Sequence, residues 1–174
     1  MDVAALDAAP EPEFVAAVAP LFESAPRFLA RLAAARPFGS VEALFERAEA
    51  IALAMPEDEQ VELIDAHPRL GAPPTTVSAM SHREQGYDRD TTAAIADLER
   101  LNAEYERRFG FRFCVFVAGR PRAELVPVIE SALEAARADE IRRAISDVVA
   151  IARDRDRHRA AGAEGVPGAK EGAA

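Results

Sequence analysis

A chain of 174 residues is long enough for one domain with a core and a pocket, and too short for two of ordinary size. With 49% apolar and 29% charged residues, rich in Ala, Leu, Arg and Glu, it has the composition of a folded helical protein rather than a disordered chain. A formal charge of −9 opposes a phosphate-binding surface and excludes nucleic acid as a partner, no apolar run approaches the ~20 residues that span a bilayer, and the lone Cys114 allows neither an internal disulfide nor a CxxC metal pair.

The N-terminus lacks the basic and apolar regions of a secretion signal, so a cytoplasmic location is expected. The first apolar cluster, Phe14, Val15, Val18, Leu21 and Phe22, predicts a short helix with a break near Pro20. Ser24 before Ala25 and Pro26 has the form of an N-cap with proline in the first turn, and Phe28, Leu29 and Leu32 then share a face until Pro37 ends the helix. Ser40 can cap a further helix through Val41, Leu44, Phe45, Ala48, Ile51 and Ala52, ending at Met55.

Pro56 followed by Glu57, Asp58 and Glu59 places proline and acidic groups at a helix start, with Val61 and Ile64 on the buried side. Pro68 disfavours the α conformation at the residue before it, which stops this helix at His67. The next segment, rich in Pro, Thr and Ser, reads as a surface loop to about Ser81. From Thr91 to Phe109 the positions Ile95, Leu98, Leu101, Tyr105 and Phe109 repeat at helical spacing, and Gly110 is the stop.

The stretch 111–117, FRFCVFV, is too short and too rich in β-formers for another helix, and its near-continuous apolarity predicts a buried extended segment whose backbone groups need partners. Pro121 opens a helix with Leu125, Val126, Ile129 and Leu133, and a long final helix starts near Asp139 with Ile141, Ile145, Val148 and Ala152 inside. The expectation is an all-α, single-domain helical bundle over 1–160 with one short buried extended segment, then a Gly-rich disordered tail, 161–174.

Three side-chain groups stand out chemically. His67 is one of three histidines, none in HExxH-type spacing, so no metal is expected. A lone histidine is more often a surface or satisfied core residue, but a helix-to-loop junction before proline is a place for an imidazole to exchange protons near neutrality. Ser81-His82-Arg83-Glu84-Gln85 has the Ser-x-x-Glu form of a capping box, and it could equally present Ser81, Glu84 and Gln85 to a polar, urea-like heterocycle at a helix N-terminus. Arg155 falls one heptad after Val148 and so faces inward, whereas Arg153 does not. Such an arginine either snorkels at the helix end or grips a carboxylate with its planar fork. Cys114, in an apolar run without an activating base, reads as a small core residue.

AHPRLG from Ala66, SHREQ from Ser81, LNAEYERRFGFRF from Leu101 and IARDR from Ile151, in that order and preceded by ALD and EFV, resemble the decarboxylases of 2-oxo-4-hydroxy-4-carboxy-5-ureidoimidazoline (OHCU), which complete urate breakdown. The resemblance covers nearly all but the tail and implies an all-helical carboxy-lyase that yields (S)-allantoin without a cofactor. By motif position it implies His67 and Glu84 as catalytic residues, and substrate contacts at Pro68, Ser81, His82, Arg83, Glu84 and Gln85, at Phe113, Cys114, Val115, Phe116 and Val117, and at Arg155. Arg69 stands where many members carry an acidic residue, and His82 and Arg83 make the helix entrance more basic than the usual pattern. The expected partner is a small-molecule substrate, with no nucleic acid and no membrane, and a homodimer is the assembly considered. The rival reading from another class is a non-enzymatic helical metabolite-binding or adaptor module; a second rival gathers His67, His82 and His158 around a metal.

Overall fold

The computed structural model describes residues 1–71 and 92–164. Among them the chain forms eight α-helices and no strand: α1 (Val3–Ala8), α2 (Glu11–Val18), α3 (Pro26–Ala34), α4 (Val41–Ala54), α5 (Glu57–Asp65), α6 (Thr92–Phe109), α7 (Val126–Leu133) and α8 (Arg137–Glu164), with single 3-10 turns at Ala19–Leu21 and Arg122–Glu124. The long α8 is the helix on which the rest assemble, packing against α4, α5 and the turn Ala19–Leu21, while α6 pairs with α7. Its inner face carries Ile141, Ile145, Val148 and Ala152, all buried at the expected spacing, and Arg155 continues the same stripe. The helix runs to Glu164, past the boundary set at residue 160, because Ala160 and Ala161 follow on as good helix formers; residues 165–174 lie outside the described ones.

Local chemistry explains most of the boundaries. Ser40 Oγ accepts the Ala43 amide at the start of α4, as a capping serine should. Pro56 precedes α5, whose first turn holds Glu57, Asp58 and Glu59; Leu63 and Ile64 are buried there, whereas Val61 is only half-buried. Those acidic residues also serve α3: Arg31 grips Glu59 through two bonds of 2.6 and 2.9 Å, and Arg27 reaches Asp58 and Glu62. These pairs are solvent-exposed, so they set the register of α3 on α5 more than they stabilise it.

One local expectation changes. Ser24 does not cap α3: Ala25 is the N-cap, without a side-chain bond, and Glu23 and Ser24 both have left-handed backbone, φ 51° and 62°. The helix expected from the first apolar cluster is present as α2, ending at the turn Ala19–Leu21 that holds Pro20, and α1, capped by Asp2 accepting the Ala5 amide, precedes it.

The stretch 112–117 is neither helix nor strand, and Phe113, Cys114, Val115 and Val117 are buried. Tyr105 of α6 anchors it by edge-on contacts to Phe111 and Phe113, with ring centroids 5.6 and 5.1 Å away. The reversal out of α6 is made by Gly110 at φ +75°, and nothing stands within 4 Å of where its Cβ would be. Gly110→Ala therefore costs only the left-handed backbone penalty, about 1 kcal/mol, in a urea melt. A loss several times larger would show that the turn is packed as well as bent.

Candidate functional site

His67 sits just beyond α5 and is 3% exposed. The last turn of the helix tightens: the His67 amide bonds to the Ile64 carbonyl, one residue closer than an α-helix requires, which leaves the Leu63 carbonyl for another donor. The imidazole itself takes it, with Nδ1 3.1 Å from Leu63 O. A carbonyl can only accept, so Nδ1 carries the hydrogen and the neutral ring presents its lone pair at Nε2. That Nε2 is fully buried and has no hydrogen-bond partner among the described residues.

Arg155 is brought beside this ring from α8 and is 4% exposed. Its Nη1 donates to the carbonyls of Leu21, at 3.1 Å, and Pro20, at 3.3 Å, and its Nη2 lies 2.7 Å from Glu23 Oε1. The inward orientation expected from helical spacing is present, and the carboxylate it grips here is the protein's own. Burial pushes His67 down to about 4, and the Arg155 guanidinium acts in the same direction; the bond to Leu63 O and the Glu23 carboxylate oppose them. The imidazole is therefore neutral at physiological pH.

Arg112 joins the extended segment to the same corner. Its backbone amide donates to Asp65 Oδ1 at 2.7 Å, and its Nη1 donates to the carbonyls of Asp65, at 2.7 Å, and His67, at 3.1 Å. The guanidinium thus occupies the exposed carbonyl end of α5, where the helix dipole favours a cation. Pro68 follows half-buried, and Leu70 O accepts from Asn102 Nδ2 at 2.9 Å, which ties the chain just after His67 to α6.

The sequence profile described as OHCU decarboxylase matches residues 7–157. The chain belongs to this family. It is 29% identical over 150 residues to the 2-oxo-4-hydroxy-4-carboxy-5-ureidoimidazoline decarboxylase of Halalkalicoccus jeotgali, covering 84% of this chain and 85% of that protein. It is 29% identical over 157 residues to the mouse protein of the same name, covering 87% and 88%. Identity reaches 34% over 143 residues with the uric acid degradation bifunctional protein of Bacillus subtilis; that match takes in 78% of this chain but only 28% of the longer protein. A crystal structure of OHCU decarboxylase with (S)-allantoin has the same fold at a TM-score of 0.63 and 23% identity, over 75% of this chain and 88% of that one.

For this OHCU decarboxylase family member, the structure brings together His67, Pro68, Arg155 and, through Arg112, the segment that carries Phe113 to Val117. Ser81, His82, Arg83, Glu84 and Gln85 lie outside the described residues. His158 is on an exposed face of α8, 3.2 Å from Asp154, away from the buried setting of His67. Among the described residues, no three His, Cys, Asp or Glu side chains are grouped so as to hold a metal ion, and no helix is long and apolar enough to cross a membrane. Glu23 was not foreseen. It lies 132 residues from Arg155 in the chain, and the only local signal, a serine-proline helix start beside it, pointed to Ser24 instead.

The depressed titration of His67 has a sign that can be checked. Above pH ~6.5 the ring is neutral folded and unfolded and contributes nothing to pH dependence. Below that, the unfolded chain binds a proton that the folded one refuses, so stability falls as pH drops and levels off near about 4. Between pH 7 and 5, urea unfolding of wild type should lose roughly 2 kcal/mol more than that of His67→Asn. Equal losses would mean that the imidazole titrates normally.

Proposed function

We infer that this chain decarboxylates OHCU to (S)-allantoin in urate degradation, and we propose His67 as the group that moves the proton. The family membership and the names of its relatives support the first part. The observation that carries the second is a neutral imidazole with one nitrogen pinned to Leu63 O and the other buried, without a partner among the described residues, and presenting a lone pair. A cytoplasmic location belongs to the same proposal, supported by a chain whose single cysteine, Cys114, is buried and can form no internal disulfide.

The carbon that loses carbon dioxide also carries a hydroxyl. When its bond to the carboxylate breaks, the electron pair forms a double bond to the neighbouring ring carbon, and the π pair of the adjacent C=N moves onto nitrogen. The ring nitrogen takes a proton, the hydroxyl gives up its own to become a carbonyl, and the neighbouring carbon takes a proton on one face, so that one proton is consumed overall as carbon dioxide leaves. The substrate is its own electron sink, so no cofactor is needed for the electrons. His67 Nε2 accepts the hydroxyl proton, a general-base contribution worth roughly 10² to 10⁴ in rate. Glu84 shares this work with His67. Ser81, His82, Arg83 and Gln85 with Pro68 hold the ureido and ring polar groups, Phe113 to Val117 line the ring, and Arg155 supplies a fixed positive charge to the anionic end.

The test is to generate 5-hydroxyisourate, hydrolyse it enzymatically, and follow formation of the (S) enantiomer by circular dichroism. His67→Asn keeps an amide donor near Nδ1 for Leu63 O and removes the acceptor at Nε2, so turnover should fall by roughly 10² or more with the fold retained. Wild-type kcat/KM should show no inflection near ~6.5, the acid limb lying instead near about 4. Full activity in folded His67→Asn would remove the histidine from the mechanism.

Glu84 is tested separately. Gln satisfies a capping box as Glu does, so Glu84→Gln should change stability by about 1 kcal/mol or less while cutting turnover by roughly 10². A stable, fully active variant would make Glu84 a helix cap and nothing more.

A further inference from the structure

The segment 113–117 has no neighbouring strand among the described residues, yet one of its edges is bonded as if it had. Arg143 Nη1 donates to Cys114 O at 2.9 Å, Arg120 Nη2 donates to Phe116 O at 2.7 Å, and the Asp147 carboxylate faces the Phe116 amide. Arg143 and Asp147 are one turn apart on α8 and bridge each other at 2.6 Å. Behind them Glu140, 3% exposed, accepts from Arg143 Nε at 2.9 Å and from the Tyr105 hydroxyl at 2.8 Å. The Arg143 guanidinium also lies over the Phe113 ring, 4.9 Å from its centre.

In extended chain, the amide and carbonyl of one residue point to one side, those of the next residue to the other, and residues two apart point alike. Bonding at Cys114 and Phe116 therefore marks a single edge, and Phe113 and Val115 belong to the opposite one. We propose that Arg143 and Asp147 are positioning residues: together they replace a neighbouring strand on one edge of 113–117 and fix the opposite edge, at Phe113 and Val115, in register for the amide and carbonyl groups of the substrate's ring. This rests on the reading of 113–117 as a substrate contact. The device gives the segment a rigid acceptor-donor pattern suited to a cyclic urea, which itself offers N–H and C=O side by side.

The experiment compares Arg143→Lys with Arg137→Lys, using OHCU generated in place. Arg137 is on the same helix and also donates to a backbone carbonyl, but to Phe109 at the end of α6. Lysine keeps the charge and loses the fork that reaches Glu140, Asp147 and Cys114 O together. Arg143→Lys should raise KM about 10-fold with kcat within about 3-fold, and should speed amide hydrogen exchange in 113–117 about 10-fold. Arg137→Lys should change neither. If Arg143→Lys does not fold, Asp147→Asn, which keeps an acceptor for the Phe116 amide but loosens Arg143, should move both readouts in the same direction.

Unchanged exchange in 113–117 would overturn the positioning role itself. Faster exchange with unchanged KM would show instead that the segment does not contact substrate, and the proposal would fail with that reading. A fall in melting temperature alone, with both readouts unmoved, would leave Arg143 a structural residue.

Discussion

The site depends on one carbonyl left over at the end of a helix. Pro68 prevents α5 from continuing, the last turn tightens, and Leu63 O loses the amide it would have accepted. Because His67 fills that vacancy with Nδ1, three properties become fixed together: the ring's orientation, its tautomer, and the direction of the Nε2 lone pair. A buried imidazole without this bond would be free to flip and present a proton where the proposed chemistry needs an acceptor. The same helix end is held by Arg112, so the extended segment and the histidine share an anchor. Displacing either would move both.

Arginine makes most of these joints. The chain has one lysine, Lys170, among 21 basic residues, and the arginines repeatedly bind carbonyls that no helix or sheet uses. Arg36 takes Ala9 O and Ala33 O, Arg120 takes Phe116 O and Val117 O, Arg143 takes Cys114 O, and Arg155 takes Pro20 O and Leu21 O. An all-helical protein with an irregular buried segment must satisfy those backbone groups without strands. A planar fork with five donors can reach two acceptors at once and keep its charge while half-buried, which an ammonium on a flexible stem does less well.

Much of the fold was legible because its signals are local. Ser40, Pro56, Pro68 and Gly110 set boundaries through their own backbone chemistry, and the spacing of Leu98, Leu101, Tyr105 and Phe109 marks the buried face of α6. Arg155 was legible for the same reason, being a fixed number of turns from Val148. What the residues around it would be was not. Glu23 and Arg143 act on partners far away in the chain, and no period connects 23 with 155 or 114 with 143. The capping expectation at Ser24 failed because Glu23 and Ser24 adopt left-handed backbone that turns Glu23 toward Arg155; a tertiary ion pair overrides a local preference there. The extended segment's need for partners was foreseeable from its composition, but not that α8 would supply them.

The arrangement around His67 holds an apparent conflict, since Arg155 lowers the basicity of the group proposed to accept a proton. On the proposed reading the substrate resolves it. OHCU brings a carboxylate, and an anion placed beside Arg155 offsets the guanidinium field and favours the imidazolium, as Glu23 already does in part. On the proposed reading His67 is a weak base without substrate and a stronger one with the substrate in place. As carbon dioxide departs, the negative charge moves from the carboxylate onto the ring, so the cation at His67 keeps a counter-charge nearby while its own proton is in transit. Burial sharpens each of these terms, because with little water to screen them a charge a few ångströms away decides the protonation state. Neutralising Glu23 would then act in two opposite ways, freeing Arg155 to bind the substrate more tightly while making His67 a poorer base, which is why a carboxylate on a strained turn is a useful third member of the site.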